Sequence, residues 1–278
     1  MVKNKSTKSS LSNKLMILKY GVEKYLIKNF KIFVPSSAGD YKAVGKETLK
    51  AGNSAFFLLK KLYENNFESV EIITAKSFCL KKKSIRNSII LKNLFNKFKS
   101  DKSKVHNYHL IYSALFRNRN NVKNILEIGI GTNNTKVISN MGPSGSPGAS
   151  LWAFRDYFKF ANVYGADIDK GILFNEKRIK TYFVDQTKIK TINSLYSKIN
   201  KKFDLIIDDG LHAIHANLNT VIASLEMLNK NGWIIVEDIP LVALDVWLVA
   251  SQLFSSKYKI YVIRSKQTVV FLIQKKSL

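Results

Sequence analysis

Apolar positions follow two alternating periodicities along the second half of the chain. Short runs rich in β-branched residues predict buried strands, and stretches with apolar positions three or four apart predict helices between them. The predicted strands are Ile125–Ile130, Val163–Asp167, Thr181–Val184, Phe203–Ile207, Trp233–Val236, Tyr258–Ile263 and Thr268–Ile273. The predicted helices are Leu151–Phe160, Ile189–Ile199, Ala213–Leu228 and Leu241–Phe254. This order predicts an α/β fold with a doubly wound, mostly parallel seven-stranded sheet of the Rossmann-like type.

The two ends of the chain depart from this alternation. At the C-terminus, a polar turn too short for a crossover helix joins the last two strands, so an antiparallel C-terminal strand is expected. Weaker signals in the first hundred residues predict helices at Leu15–Phe30, Lys46–Tyr63 and Ile89–Phe98 and strands at Lys31–Val34 and Ser69–Ala75. We therefore expect an N-terminal extension over residues 1–100, α/β or mainly helical and of unassigned function, and one domain over residues 101–278.

A formal net charge of +25, most of it in residues 1–120, raises the question of a nucleic-acid partner. Only six of the 45 basic residues are arginine, which is poor provision for bidentate contacts to phosphate or guanine. Lysine with abundant asparagine and isoleucine is also a composition that AT-rich coding produces without selection for a partner. Nucleic acid is therefore disfavoured, and an RNA-binding or RNA-modifying protein that uses the basic N-terminal region is kept as the alternative.

Hydropathy and cysteine content bound the environment of the protein. The longest apolar run, Ile239–Phe254, is interrupted by Asp245, so no membrane insertion is expected. The basic N-terminus lacks the apolar core and cleavage site of a signal peptide, which favours a cytoplasmic location. The single cysteine, Cys79, excludes an internal disulfide and a thiolate metal cluster. The oligomeric state is left open, with a homo-oligomer as one alternative.

Acidic residues collect at the ends of the predicted strands. Asp208 and Asp209 follow one strand, and Glu237 and Asp238 follow the next. Because the carboxyl ends of neighbouring parallel strands face one crevice, these four carboxylates and His212 are expected to converge there. A divalent cation would neutralise the buried charge, and a histidine beside a metal is a suitable general base.

The first strand of the regular region ends in a glycine-containing turn. Gly129 and Gly131 allow a tight turn and close approach of a ligand, but a dinucleotide fingerprint needs a third glycine where Asn134 stands. Glu127 would repel a pyrophosphate, whereas it suits a cationic group such as the amino group of an amino-acid-bearing cofactor. A nicotinamide dehydrogenase is therefore disfavoured.

Two further strand ends carry residues that suit a nucleoside. Asp167 ends the second strand, where an acid can accept both hydroxyls of a ribose. Asp185 and Gln186 follow the third strand, where an adenine amino group could be read. The predicted crevice thus has a nucleoside half and an acidic half.

These residues belong to motifs that carry a family resemblance. They are D-K-x-x-x-H-x-Y-x-x-x-Y from Asp101, L-E-I-G-x-G-T-N from Leu126, G-A-S-L-W and R-D-Y-F within Gly148–Phe158, G-A-D-I-D from Gly165, V-D-Q from Val184, I-D-D-G-x-H from Ile207 and E-D at Glu237. From about Asp101 onwards the chain resembles the class I S-adenosylmethionine-dependent methyltransferases. Within them it resembles the metal-dependent sugar O-methyltransferases of the macrocin and mycinamicin type. It lacks the Asp-Asn pair that is usual in the catechol type.

The resemblance implies a Mg²⁺-dependent transfer of a methyl group from S-adenosylmethionine to a hydroxyl of a sugar or glycosylated metabolite. It implies Asp209, Glu237 and Asp238 as Mg²⁺ ligands and His212 as the general base. The residues expected around the cofactor are Glu127, Gly129, Gly131, Thr132, Asp167, Asp185, Gln186 and Asp208. His215 is expected to be structural, and Tyr108 and Tyr112 are explained equally well as aromatic core contacts. Pro143–Gly148 forms a long loop that is either a lid or a passive insertion.

Overall fold

The computed structural model describes residues 21–36, 39–65 and 70–276. Contacts divide the chain into two compact units, residues 1–69 and residues 70–278. Of the predicted helix Leu15–Phe30, residues 15–20 lie outside the described residues and residues 21–29 are helical. In the part of the chain that is described, no helix is long and apolar enough to cross a membrane.

The first unit contains one long helix, α1 (Tyr41–Glu64), which includes the predicted helix Lys46–Tyr63. Asp40 caps its N-terminus, because the Asp40 Oδ1 accepts two backbone N–H groups of the first turn at 2.8 and 3.0 Å. The predicted strand Lys31–Val34 is wrong, since Lys31–Phe33 form a 3₁₀ turn. Strand formation requires a pairing partner, and the described residues of this unit contain no strand.

The second unit contains the sheet and the helices that cover it. Its strands are β1 (Ile72–Thr74), β2 (Asn124–Ile128), β3 (Asn162–Asp167), β4 (Asn175–Glu176), β5 (Ile179–Phe183), β6 (Phe203–Asp208), β7 (Leu228–Ile239), β8 (Tyr258–Arg264) and β9 (Val269–Lys275). Its helices are α2 (Ala75–Lys81), α3 (Ile85–Lys97), α4 (His109–Ala114), α5 (Ala149–Tyr157), α6 (Ile189–Ile199), α7 (Ile214–Ser224) and α8 (Leu244–Ser251). Short 3₁₀ turns lie at Arg119–Asn121, Lys170–Ile172, Leu225–Met227 and Leu241–Ala243.

The strands form one mixed sheet in the order β1-β8-β9-β7-β6-β2-β3-β5-β4. Strands β7, β6, β2, β3 and β5 are parallel neighbours, and β9 runs antiparallel to both β7 and β8. The doubly wound, mostly parallel sheet with an antiparallel C-terminal strand is therefore confirmed.

The expected number of seven strands is wrong, because the sheet has nine strands within the described residues. The seven predicted strands form its middle, and a short strand is added at each edge. At one edge β1 pairs parallel with β8, and at the other edge β4 pairs antiparallel with β5 over two residues. A two-residue strand is too short to show a periodicity in the sequence. The other edge strand, β1, arises from the predicted strand Ser69–Ala75, which was assigned to the extension.

Residues 70–100 pack with this unit. The Phe95 ring on α3 makes edge-on contacts with Tyr112 on α4 and with Phe154 on α5, at centroid distances of 6.5 and 5.5 Å. All three rings belong to the buried core on one face of the sheet, and α6, α7 and α8 contribute to the core on the other face. Contacts divide the chain between residues 69 and 70, and the expected domain boundary at residue 100 stays a prediction.

Candidate active site

The carboxyl ends of β2 and β6 are drawn together by Gly129. The Asp209 N–H donates to the Ile128 carbonyl oxygen at 2.8 Å, and Gly129 adopts a positive φ of 90°. A Cβ on Gly129 would lie 2.0 Å from the Asp209 carbonyl oxygen, so no other residue fits here without displacing one of the loops. The glycine turn and the acidic loop are consequently one packed structure.

A cavity of about 390 Å³ opens beside this turn. Its wall includes Gly129, Gly131, Thr132, Asp167, Asp185 and Gln186. Six of the eight residues expected around a nucleoside cofactor therefore surround one cavity. Its volume lies in the range of about 300 to 1,000 Å³ that is usual for small-molecule sites.

Asp167 supports the glycine turn as well as lining the cavity. Its Oδ2 accepts the Ile130 N–H at 3.0 Å, and its Oδ1 accepts the Asp169 N–H at 2.9 Å. The pKa of the Asp167 carboxyl is raised, because the effect of burial outweighs that of the backbone hydrogen bonds, which lower it. A carboxylate has about four acceptor positions, so acceptor capacity remains for a ligand.

Gln186 and Asp208 fix the loop that follows β6. Gln186 Nε2 donates to Asp208 Oδ1 at 2.6 Å and to Thr220 Oγ1 at 2.8 Å, and its Oε1 accepts the Leu211 N–H at 2.9 Å. Asp208 is fully buried, and burial raises the pKa of its carboxyl. Both residues thus shape the wall of the cavity through contacts inside the protein.

Asp185 lies at the same wall with its carboxylate held in place. Its Oδ1 accepts the Thr187 N–H at 3.1 Å and the Thr187 hydroxyl at 2.6 Å, and its Oδ2 pairs with Lys188. Burial opposes ionisation of Asp185, but the hydrogen bonds from Lys188 and Thr187 outweigh it and lower the pKa. The side chain is therefore an ionised acceptor at the cavity edge.

Lys102 forms the centre of a buried charge cluster on the other side of the turn. Its Nζ donates to Asp209 Oδ2 at 2.6 Å and to Glu237, and it lies 3.1 Å from Glu127 Oε1. Burial would lower the pKa of Lys102, but the carboxylates of Asp209, Glu237 and Glu127 hold it well above its usual value. A single ammonium therefore links the ends of β2, β6 and β7.

Glu127 on β2 and Glu237 on β7 contact this ammonium from the two strands that flank β6. The Ser150 hydroxyl donates to Glu127, and the Tyr112 hydroxyl donates to Glu237. Both carboxyls are buried, which raises their pKa values, that of Glu127 to about 7. Neither residue lines a cavity at this edge of the sheet, so both act on the site from behind.

A β-bulge aims the neighbouring Asp238 at a different set of partners. The register between β7 and β9 shifts between Val236 and Ile239, and Asp238 has a positive φ of 53°. Asp238 Oδ1 accepts the Tyr108 hydroxyl at 2.7 Å and lies 3.2 Å from His106 Nδ1. Burial would raise the pKa of Asp238, but the contacts with His106 and Tyr108 lower it well below its usual value.

His212 lies close to both Asp209 and Asp238. Its Nε2 is 3.9 Å from Asp209 Oδ1, and its side chain is 27% exposed. Like Asp238 it has a positive φ, here 54°, which is uncommon for a residue other than glycine. Strained backbone at two facing polar residues is typical of a functional site.

The donor set fits a hard divalent cation. Asp209, His212 and Asp238 each offer an atom, and these three atoms lie within 4.8 Å of one another. Carboxylate oxygens are the ligands that Mg²⁺ prefers, and both acids retain partial exposure. Glu237, the remaining predicted ligand, has one oxygen bonded to Lys102 and the other to Tyr112.

A second cavity of about 170 Å³ joins these residues to the glycine turn. Asp209, His212, Asp238 and Ser150 line it, and it shares Gly129, Gly131, Ser139 and Asp209 with the larger cavity. Ligands bound in the two cavities would therefore be adjacent, with the Gly129 turn and Asp209 as their common wall.

The sequence prediction missed the residues that neutralise and orient the acids. They are Lys102, His106, Tyr108, Tyr112 and Ser150. Four of them occur in the motif D-K-x-x-x-H-x-Y-x-x-x-Y, and the fifth in G-A-S-L-W. The spacing of the motif was therefore the available signal, together with the need of four clustered acids for a buried cation.

The strand order, the glycine turn after β2 and the acids at the carboxyl ends of β3, β5, β6 and β7 agree with the fold of class I S-adenosylmethionine-dependent methyltransferases. No protein family model matches the chain. The 8-demethyl-8-alpha-L-rhamnosyl tetracenomycin-C 2'-O-methyltransferase of Streptomyces olivaceus is 33% identical over 144 residues, which cover 50% of this chain and 35% of that protein. The mycinamicin VI 2''-O-methyltransferase of Micromonospora griseorubida is 31% identical over 129 residues, 46% of this chain and 30% of that protein.

Solved structures of the MycE methyltransferase from the mycinamycin biosynthetic pathway share this fold. The complex with Mg and SAH has a TM-score of 0.54 and 22% identity, and it covers 67% of this chain and 54% of that chain. The complex that also contains mycinamycin VI has the same TM-score and coverage, with 20% identity. The chain spans about a third of the length of the curated relatives. The resemblance to mycinamicin-type methyltransferases is thus confirmed.

Proposed function

We propose that the chain transfers a methyl group from S-adenosylmethionine to a hydroxyl of a sugar or glycosylated small molecule, with Mg²⁺ as the metal. The observation that carries this proposal is the shared wall of the two cavities at Gly129, Gly131 and Asp209. The activities of both curated relatives, which are O-methyltransferases of glycosylated compounds, support it.

In this proposal the methyl donor occupies the cavity of about 390 Å³. Asp167 accepts ribose hydroxyls with its remaining acceptor positions, and Asp185 lies near the adenine. Gln186 and Asp208 hold the wall, while Gly129, Gly131 and Thr132 allow close approach to the methionine part. Glu127 acts through the residues it contacts, because its carboxylate is buried against Ser150 and Lys102.

Asp209 and Asp238 would hold Mg²⁺ at the cavity of about 170 Å³. Glu237 is the proposed third ligand, and binding would require Lys102 or Tyr112 to release one of its oxygens. Bound Mg²⁺ would orient the acceptor and make its hydroxyl easier to deprotonate. The ammonium of Lys102 neutralises the same acids from the buried side.

His212 is proposed as the general base. It lines the acceptor cavity and lies beside Asp209, so its imidazole can take the proton of a hydroxyl bound there. The acceptor oxygen then forms a bond to the methyl carbon while the bond from sulfur to that carbon breaks. The products are a methyl ether and the neutral thioether S-adenosylhomocysteine.

A screen with labelled S-adenosylmethionine and Mg²⁺ tests this function over glycosides, nucleotide sugars and polysaccharide precursors. We expect label in a glycosylated acceptor, with loss in chelator and in Asp209→Asn. Glu226→Gln is the matched control, because it removes an exposed carboxylate that lines neither cavity of the candidate active site. Undiminished transfer in chelator would contradict the metal role. A cytoplasmic location and a homo-oligomer stay predictions.

A further inference from the structure

A third cavity, of about 1,160 Å³, lies at the opposite edge of the sheet from the candidate active site. Val122 precedes β2, Asp204 is near the start of β6, and Trp233 lies in the first half of β7. All three line this cavity, so it opens at the amino ends of the parallel strands. It is lined by residues that the proposed methyl transfer does not use.

The wall of this cavity is strongly cationic. Five basic side chains line it: Lys81, Lys82, Lys83, Arg117 and Lys230. The one acid among the lining residues, Asp204, accepts the N–H groups of Lys123 and Asn124 at 2.7 and 3.0 Å and the Asn229 amide at 2.8 Å. The carboxylate is therefore committed to backbone and amide donors, and the field in the cavity is positive.

Polar amides accompany these charges. Asn87, Asn118, Asn121 and Asn231 also line the cavity. Amide N–H groups and lysine ammonium groups together form the donor set that surrounds anionic oxygens. A neutral sugar would not need five cations, and a metal cation would be repelled by them.

Trp233 supplies a second, independent feature that favours a ligand in this cavity. Its side chain lines the cavity and is 1% exposed, yet its Nε1–H has no hydrogen-bond partner. The ring is held in place by a tilted contact with Tyr261 at a centroid distance of 5.6 Å. A buried donor without an acceptor is unfavourable, and a ligand oxygen would satisfy it.

We propose that this cavity binds a phosphate-bearing small molecule of about nucleotide size. Lysine and arginine neutralise the phosphate oxygens, the asparagines donate to the remainder of the ligand, and Trp233 Nε1 donates to an oxygen at the floor. A volume slightly above the usual range for ligand sites accommodates a nucleotide with its water. Small phosphates and the phosphates of a nucleic acid share this chemistry, and the unpartnered Nε1–H of Trp233 favours a small ligand that can enter the cavity.

Titration of the full chain with pyrophosphate and with uridine diphosphate tests the proposal. We expect saturable binding at one site, weakened at least tenfold in the double variant Lys82→Gln/Lys83→Gln. The double variant Lys177→Gln/Lys180→Gln removes the same charge from two exposed lysines of the β4–β5 segment and should bind as the wild type does. Arg117→Gln gives a second, independent removal of charge.

The indole resonances add a readout that general electrostatics would not move. The chain has three tryptophans, so a ¹⁵N–¹H spectrum should show three indole signals, with that of Trp233 assigned through Trp233→Phe. Addition of pyrophosphate should shift the Trp233 signal and leave those of Trp152 and Trp247 in place. An unshifted Trp233 signal, or equal weakening in both double variants, would overturn the proposal.

A single-stranded RNA oligonucleotide is the third ligand to titrate. Binding that is confined to the oligonucleotide and strengthens with its length would overturn the small-ligand proposal in favour of a nucleic-acid surface. Binding of uridine diphosphate with weaker or absent binding of the oligonucleotide supports it.

Discussion

Lys102 lies with its ammonium between Asp209 and Glu237, 2.6 Å from Asp209 Oδ2, and its side chain is only 2% exposed. These acids end two neighbouring strands, and Glu127, at 3.1 Å, belongs to a third. Like-charged carboxylates at such positions would repel one another without a buried cation. The lysine is thus part of what holds the carboxyl ends of these strands together.

Lys102→Met should be strongly destabilising, because it leaves the buried Glu127 and Glu237 and the half-buried Asp209 without their cation. We expect a loss of roughly 3 to 5 kcal/mol in the free energy of unfolding, measured by denaturant titration. Lys104→Met removes a neighbouring exposed lysine and should change stability by less than about 0.5 kcal/mol. Equal stability of the two variants would show that the acids need no buried cation.

The role of His212 can be distinguished from that of the metal ligands by measuring Mg²⁺ binding and methyl transfer in the same variants. His212→Asn should lower the rate of methyl transfer by about 10² or more while leaving Mg²⁺ affinity nearly unchanged. Asp209→Asn should lower both. If His212→Asn loses Mg²⁺ as fully as Asp209→Asn does, the imidazole is the third ligand, which its place beside Asp209 and Asp238 would also allow.

Gly129→Ala should disrupt the site, because the added Cβ would clash there, whereas a Cβ added at Gly142 would not. A Cβ on Gly129 would meet the Asp209 carbonyl oxygen, whereas a Cβ on Gly142, also at positive φ, would meet nothing within 4 Å. We expect Gly142→Ala to cost about 1 kcal/mol in stability, and Gly129→Ala to cost clearly more and to lose binding of S-adenosylhomocysteine. Calorimetry and thermal unfolding of both variants measure this difference.

His109 should make stability depend on pH on the acid side. Burial, with Lys92 and Lys266 nearby, lowers its pKa from 6.5 to about 4. The unfolded chain therefore binds a proton that the folded chain does not, so stability falls as pH drops from about 6.5 to about 4, by up to about 3 kcal/mol.

His109→Gln should remove that part of the pH dependence. Unfolding free energies at several pH values between 4 and 7 measure it, and His215→Gln, at an exposed position, controls for loss of an imidazole. Parallel pH profiles for wild type and His109→Gln would contradict the burial of a neutral imidazole.

The fold could be predicted where local periodicity was strong. The helix Ile189–Ile199 was predicted with both its ends, and the parallel strands were located by their continuous apolar runs. The prediction of a strand at Lys31–Val34 failed because strand pairing depends on tertiary structure. Strand β4 was not predicted because two residues are too few to show a periodicity. The acids could be placed at one edge because every parallel strand ends there.

The remainder of the site depends on geometry that no pattern encodes. Burial of Lys102 depends on three strands that meet in space, and a lysine in a loop usually remains solvated. The bulge that separates Glu237 from Asp238, and the left-handed backbone of His212, depend on long-range pairing. Consequently the positions of the acids were predicted more readily than their partners.

The central claim, that donor and metal sites meet at Asp209, can be measured without knowing the acceptor. Mn²⁺ is paramagnetic and accepts the same oxygen ligands as Mg²⁺. We predict that Mn²⁺ strongly enhances the relaxation of the ¹³C-methyl signal of bound S-adenosylmethionine, and that Asp209→Asn removes the enhancement while Glu226→Gln preserves it. Bound S-adenosylmethionine whose methyl relaxation is unaffected by Mn²⁺ would contradict the account.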